Sequence, residues 1–132
     1  MSAEEWDWSR PVVDHVDLRA SRFRESVRFY ETVLAALGIP KLYERESEAC
    51  FTHLNVVAGE LPTSNLHLCF HARSKEDVDA FHAVGVTEGF RSNGAPGYRA
   101  YAPGYYAAYL LDPDGNNVEA LFRDVGNPGY TA

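Results

Sequence analysis

The chain has 132 residues, nearly half of them apolar, which is enough for one domain with a real core and excludes a disordered chain. A formal net charge of −7 excludes a nucleic-acid surface, which needs a basic patch, and no apolar run approaches the roughly 20 residues of a membrane span. The opening MSAEEWDWSRP is acidic and lacks the basic and apolar regions of a signal peptide, and Cys50 and Cys69 have neither CxxC nor zinc-ribbon spacing. Together these point to a cytoplasmic protein with two reduced thiols.

VVDHVDL (12–18) reads as a short β-strand. In the next segment Phe23, Val27, Tyr30, Leu34 and Leu37 fall at helical spacing, with Ser21 as N-cap, Gly38 just past the C-terminus and Pro40 as a stop. KLYERES (41–47) and ACFTHLNVV (49–57) read as strands, and LHLCFHA (66–72) as another. Ser74 then opens a second helix, with Asp77 in the reciprocal capping position and Val78, Phe81 and Val84 as its apolar stripe. SNGAPGYRAYAPG (92–104) holds three glycines and two prolines and reads as a long loop. YYAAYLLD and NVEALFRD are strands joined by PDGNN, whose Asp114-Gly115 pair is a hairpin signal, and the tail VGNPGYTA reads as irregular.

The element order nearly repeats: strand, helix, two strands, then strand, helix, three strands. Laid on itself at an offset of 52, the chain places His15 on His67, Ala20 on Ala72, Phe29 on Phe81 and Tyr30 on His82. Two copies of one unit, at roughly 10–60 and 64–124, are the simplest account.

Strand alternation sorts the polar residues. His67, Cys69 and His71 share one face, opposite Leu66, Leu68 and Phe70. Asn117, Glu119 and Leu121 lie opposite Val118, Ala120 and Phe122. His15 shares a face with Val13 and Asp17, which makes Asp17 rather than Asp14 the candidate to orient its ring. Taken singly, each is what a wet sheet face carries. Taken together, two imidazoles at equivalent repeat positions and a mid-strand carboxylate suit a divalent transition metal with positions left open.

Three blocks carry a resemblance: DHVDL…SVRFYETVLAALGI, LHLCFHARSKEDVDAFHAVGV and GAPGYRAYAPGYYAAYLLDPDGNNVEALF. They span nearly the whole chain, and it resembles the vicinal oxygen chelate superfamily of glyoxalases, bleomycin- and fosfomycin-resistance proteins and extradiol dioxygenases. The resemblance implies an α+β fold, with two βαβββ modules forming a half-open mixed β-barrel around a cleft. It implies a divalent metal (Fe, Mn, Ni, Co or Zn) held by His15, His67 and Glu119, with His53 or Asn55 at the position of a fourth ligand. It also implies a homodimer, in many members with one site drawn from two chains.

Such a site chelates a small oxygen-bearing substrate, as a lyase, isomerase or dioxygenase, with Glu119 also able to shuttle a proton. Arg99 is suited to hold a carboxylate or phosphate, Tyr98 and Tyr101 to stack on or hydrogen-bond a substrate, and His53 to line the cleft. Tyr105 and Tyr106 point to opposite faces, so at most one reaches the cleft. The alternatives are a small-molecule binding or resistance protein without catalysis, and a dimer that has kept the fold and lost the chemistry.

Overall fold

The computed structural model describes residues 2–124, so the expectation of an irregular tail at 125–132 lies outside the described residues. In order the elements are β1 (Val16–Ala20), α1 (Phe23–Ala35), β2 (Tyr43–Glu44), β3 (Glu48–Phe51), β4 (Leu54–Ala58), β5 (His67–His71), α2 (Lys75–Thr87), β6 (Arg91–Arg99), β7 (Tyr105–Leu111) and β8 (Asn117–Arg123). They form two four-stranded sheets, ordered β1-β4-β3-β2 and β5-β8-β7-β6. In each sheet the first strand runs parallel to its neighbour and the other pairings are antiparallel. This is the expected α+β arrangement of two βαβββ units. The two sheets do not close into a barrel within the chain. The helices are of equal length and begin 52 residues apart, the offset read from the sequence. Among the described residues no helix is long and apolar enough to cross a membrane.

One apolar core lies between the helices and the inner faces of both sheets. From α1 it takes Val27, Phe29, Tyr30, Val33 and Leu34. Phe29 meets the rings of Tyr30 and Phe90 edge-on at 4.8 and 4.9 Å, the geometry aromatic quadrupoles favour. From α2 it takes Val78 and Phe81, and here Gly85 rather than Val84 fills the buried position. A Cβ at Gly85 would stand 2.5 Å from the Leu110 side chain, so a larger residue here would have to push that buried side chain aside.

Four local expectations are revised. The first strand starts at Val16, because the ladder with β4 starts at Leu54, and Val12 and Val13 are left exposed. The run 49–57 is a hairpin, β3 and β4, turned at Thr52 with φ 62°. Of 41–47 only Tyr43–Glu44 pairs. The glycine-rich 92–104 is mostly strand β6, which pairs with β7 through two shifts in register. Gly94 sits beneath the Tyr109 ring, where a Cβ would lie 2.8 Å from it, so this glycine serves a close approach within the sheet.

Helix ends differ in detail. Arg22 is the N-cap of α1 without a side-chain cap, since Ser21 bonds Asp114 instead. Gly38 takes φ 76° after α1, and Ile39 N–H donates to Leu34 O at 2.9 Å. Ser74 caps α2 by accepting from Asp77 N at 3.1 Å, but the Asp77 carboxylate turns to Arg73 Nε at 2.7 Å.

The two halves are tied by a buried polar clamp. Tyr30 Oη of α1 donates to Asp112 Oδ2 at 2.6 Å, and Asn116 Nδ2 donates to Thr63 O at 2.9 Å. Burial and the adjacent carboxylate hold the Tyr30 phenol well above its ordinary pKa. Replacing Tyr30 with Phe removes a hydrogen bond to a buried charge and should cost roughly 1.5–3 kcal/mol. Urea unfolding should show a lower midpoint with an unchanged slope; an unchanged midpoint would remove the clamp as a stabilising feature.

Candidate functional site

Pleating puts a second, open face on each sheet, away from the helices. On the β5–β8 sheet the register aligns Cys69, Glu119 and Tyr109 across β5, β8 and β7. Glu119 is 1 % exposed, and the reason such a charge can be buried is visible. His67 Nε2 lies 2.8 Å from its Oε1, and Tyr105 Oη donates to its Oε2 in a short bond. Against a carboxylate, His67 must carry its proton on Nε2. Tyr109, Ala107 and Leu121 form a small apolar cluster on this face, with Tyr105 packed against it.

Burial and the bond to Glu119 drive the Tyr105 phenol far up, and burial and the same carboxylate push Tyr109 up to about 12. Burial and Glu119 likewise push the Cys69 thiol up to about 12, although the residue as a whole is exposed. Cations rim the group. The Arg99 guanidinium lies 5.3 Å from the Tyr109 ring and donates to Ala95 O at 2.7 Å, and Arg123 lies 5.4 Å from the Tyr105 ring. Tyr101 is 73 % exposed and meets Tyr105 edge-on at 5.2 Å.

The other sequence candidates lie elsewhere. Tyr98 is on the helix side of β6, opposite Tyr106; it accepts from Lys75 Nζ at 2.9 Å and donates to Asp124 at 2.7 Å. Tyr106 donates to Asp79, so Tyr105 is the member of that pair on the Glu119 face. His15 is half-exposed at the start of the other sheet. Its Nδ1 is 2.7 Å from Asp14, which raises its pKa, whereas Asp17 is 4.0 Å from Nε2. The expected preference for Asp17 is thus reversed, because 14 and 15 precede the strand and escape its alternation. His53 sits in the β3–β4 turn with Nδ1 3.2 Å from Thr52 Oγ1, and Asn55 donates to Asp17 at 2.9 Å.

Within one chain, therefore, the fold brings together His67 and Glu119 but not His15. Among the described residues no three His, Cys, Asp or Glu side chains converge as a metal cage. The donor types of His67 and Glu119 fit a divalent ion, and these are two of the three residues expected to hold one. Tyr105 as the partner of Glu119 is what strand alternation left undetermined; the alternation separated Tyr105 from Tyr106, and only the β7–β8 register selects between them.

A family model for the glyoxalase/bleomycin resistance protein/dioxygenase superfamily matches residues 12–120. The chain belongs to that superfamily. A solved glyoxalase/bleomycin resistance protein from Albidiferax ferrireducens is 32 % identical, with a TM-score of 0.72 over 83 % of this chain and 97 % of that one. A candidate glyoxalase from Bacillus halodurans is 25 % identical, with a TM-score of 0.69 over 87 % and 98 %. A lactoylglutathione lyase from Agrobacterium tumefaciens shares the fold at 20 % identity, with a TM-score of 0.63 over 86 % and 94 %. No curated protein matches the chain.

The β5–β8 register places Cys69 against a buried carboxylate, and this has a chemical signature. At pH 8 a thiol held near 12 is almost entirely protonated, so Cys69 should alkylate with iodoacetamide far more slowly than a free cysteine. Glu119→Gln, which keeps the shape and removes the charge, should speed that reaction. Peptide mapping of the alkylated protein measures both rates.

Proposed function

We propose that the chain is a metal-dependent enzyme of the glyoxalase or dioxygenase type. It chelates a small oxygen-bearing substrate through a divalent ion, and works as a homodimer in which His15 of a second copy joins His67 and Glu119. The observation that carries this reading is the carboxylate buried to 1 % on an open sheet face, with an imidazole at 2.8 Å. A sheet face with no function has no need to bury a charge there. His15 stands at the matching position of the repeat on the other sheet, whose face is also open, so a second copy can supply it. His53 and Asn55 lie on that same sheet and arrive with His15.

A divalent ion held by these ligands supplies Lewis acidity toward two adjacent substrate oxygens. The rest is done by the chain. For His67 to hold an ion through Nε2, its proton would have to sit on Nδ1 instead, so that Nε2 offers its lone pair. Tyr105 holds Oε2 of Glu119 and leaves Oε1 turned toward His67. Glu119 is the group at the site suited to take a proton from substrate and return it. Arg99 is placed to hold an anionic substrate group, and the exposed ring of Tyr101 to cover a flat one.

A second reading has its own support. Both oxygens of Glu119 already have hydrogen-bond partners, so the carboxylate is stable without a metal. A small-molecule binding protein that needs no ion is consistent with that.

Equilibrium dialysis against Fe, Mn, Ni, Co and Zn separates the two. The enzyme reading expects one ion per site, lost in Glu119→Ala and in His15→Ala. Mixing those two variants under conditions that exchange subunits should restore binding, because each hybrid dimer contains one intact site. If the native protein binds no stoichiometric ion, the binding reading replaces the enzyme. If it binds one and mixing restores nothing, the shared site is wrong.

A further inference from the structure

The helix side of the molecule carries a cavity of about 320 Å³, between the start of α1, the segment leading into β6, and the end of β7. Three arginines line it, Arg22 at the N-cap of α1, Arg28 within α1 and Arg91 at the start of β6. In a chain of net charge −7 with only 12 Lys and Arg, three of those cations gather around one hollow. We propose that this cavity binds a small phosphate ester, at a site separate from the Glu119 face.

The carboxylates at or beside it, Glu25, Glu88 and Asp112, match the three arginines in number, but only two of them stand against one. Glu25 pairs with Arg22 at 2.7 Å, and Glu88 stands 3.9 Å from Arg28. Asp112 also lines the cavity, but its carboxylate is committed to Tyr30 Oη, the Asn116 side chain and the backbone N–H groups of Asp114 and Asn116. The Arg91 side chain has no hydrogen-bond or ion-pair partner among the described residues. Two of the cations are also pre-positioned. Arg22 Nη2 donates to Pro113 O at 2.7 Å, and Arg28 lies over the Phe90 ring at 4.5 Å. A guanidinium already held in place loses less freedom when it binds.

Shape selects among anions. A planar carboxylate offers two oxygens and saturates one guanidinium fork, whereas a phosphate dianion offers three around a tetrahedron and can engage guanidiniums from α1 and β6 together. The volume exceeds that of a phosphate group alone. Phe90, Leu111 and Pro113 give the remaining wall an apolar character, suited to the carbon part of an ester. Arg22 and Arg28 are half-exposed, so the expected affinity is modest, on the order of 1 mM. The opposite side of the β5–β8 sheet carries Glu119, so occupancy here does not depend on a metal there.

The test is a titration of the full chain with inorganic phosphate, phenyl phosphate and benzoate, followed by backbone amide shifts. Phenyl phosphate should bind tightest and benzoate weakest, with shifts confined to residues 22–28, 89–91 and 111–113. Arg91→Glu should weaken phenyl phosphate by about tenfold, and Glu25→Gln, which removes the competing carboxylate, should tighten it severalfold. Both side chains are exposed, so neither variant endangers the fold. Shifts centred on 66–71 and 117–123, equal binding of benzoate, or indifference to both substitutions would each overturn the assignment.

Discussion

The buried carboxylate of Asp112 holds the two halves of the chain in one arrangement. At 1 % exposure it accepts the Tyr30 hydroxyl from α1, the N–H groups of Asp114 and Asn116 in its own turn, and the Asn116 side chain. Asn116, equally buried, donates to Thr63 O and accepts from Leu66 N. The turn that joins β7 to β8 is thereby fastened to the first module and to the linker before β5. A charge left unpaired in such surroundings costs several kcal/mol, so the pairing is close to obligatory.

What depends on this turn is the identity of the face. Side chains alternate with period two, and a slip of one residue between β7 and β8 would carry Glu119 into the apolar core. With the register fixed, Glu119 stands beside Tyr109 and Cys69 and reaches His67 and Tyr105. The hairpin is therefore both a joint between modules and the device that presents the carboxylate. In the other module His15, the counterpart of His67, is also at the edge of an open face, with Asp14 holding its ring. The duplication gives two sheets that each have a face turned away from the helices.

Much of this was legible in the sequence. The helical stripes, the offset of 52, the hairpin signal and the sorting of His67 with Glu119 all follow from periodicity, which depends only on local geometry. The misreadings have local causes as well. The glycines at 94 and 97 resemble loop signals, but they sit in β6, and Gly94 makes room for the Tyr109 ring. Thr52 turns the chain at a positive φ that its residue type does not announce. Asp17 shares the alternating face of His15 in the sequence pattern, yet Asp14 holds the ring, because a strand needs a ladder partner and residues 12–15 have none.

The sequence by itself determined both helices, most of the strands, the two-unit repeat, and which residues of β5 and β8 stand on the side away from the helices. These are properties of neighbouring residues and of a fixed backbone period. Tertiary structure decided which of those residues meet. It put Tyr105 and His67 on the two oxygens of Glu119, left His15 on a separate sheet, turned Tyr98 to the helices, and gathered Arg22, Arg28 and Arg91 around one cavity. Each of these depends on the pairing of strands distant in the chain and on the packing of the two modules, where the closing contacts are set by register and shape rather than by local propensity.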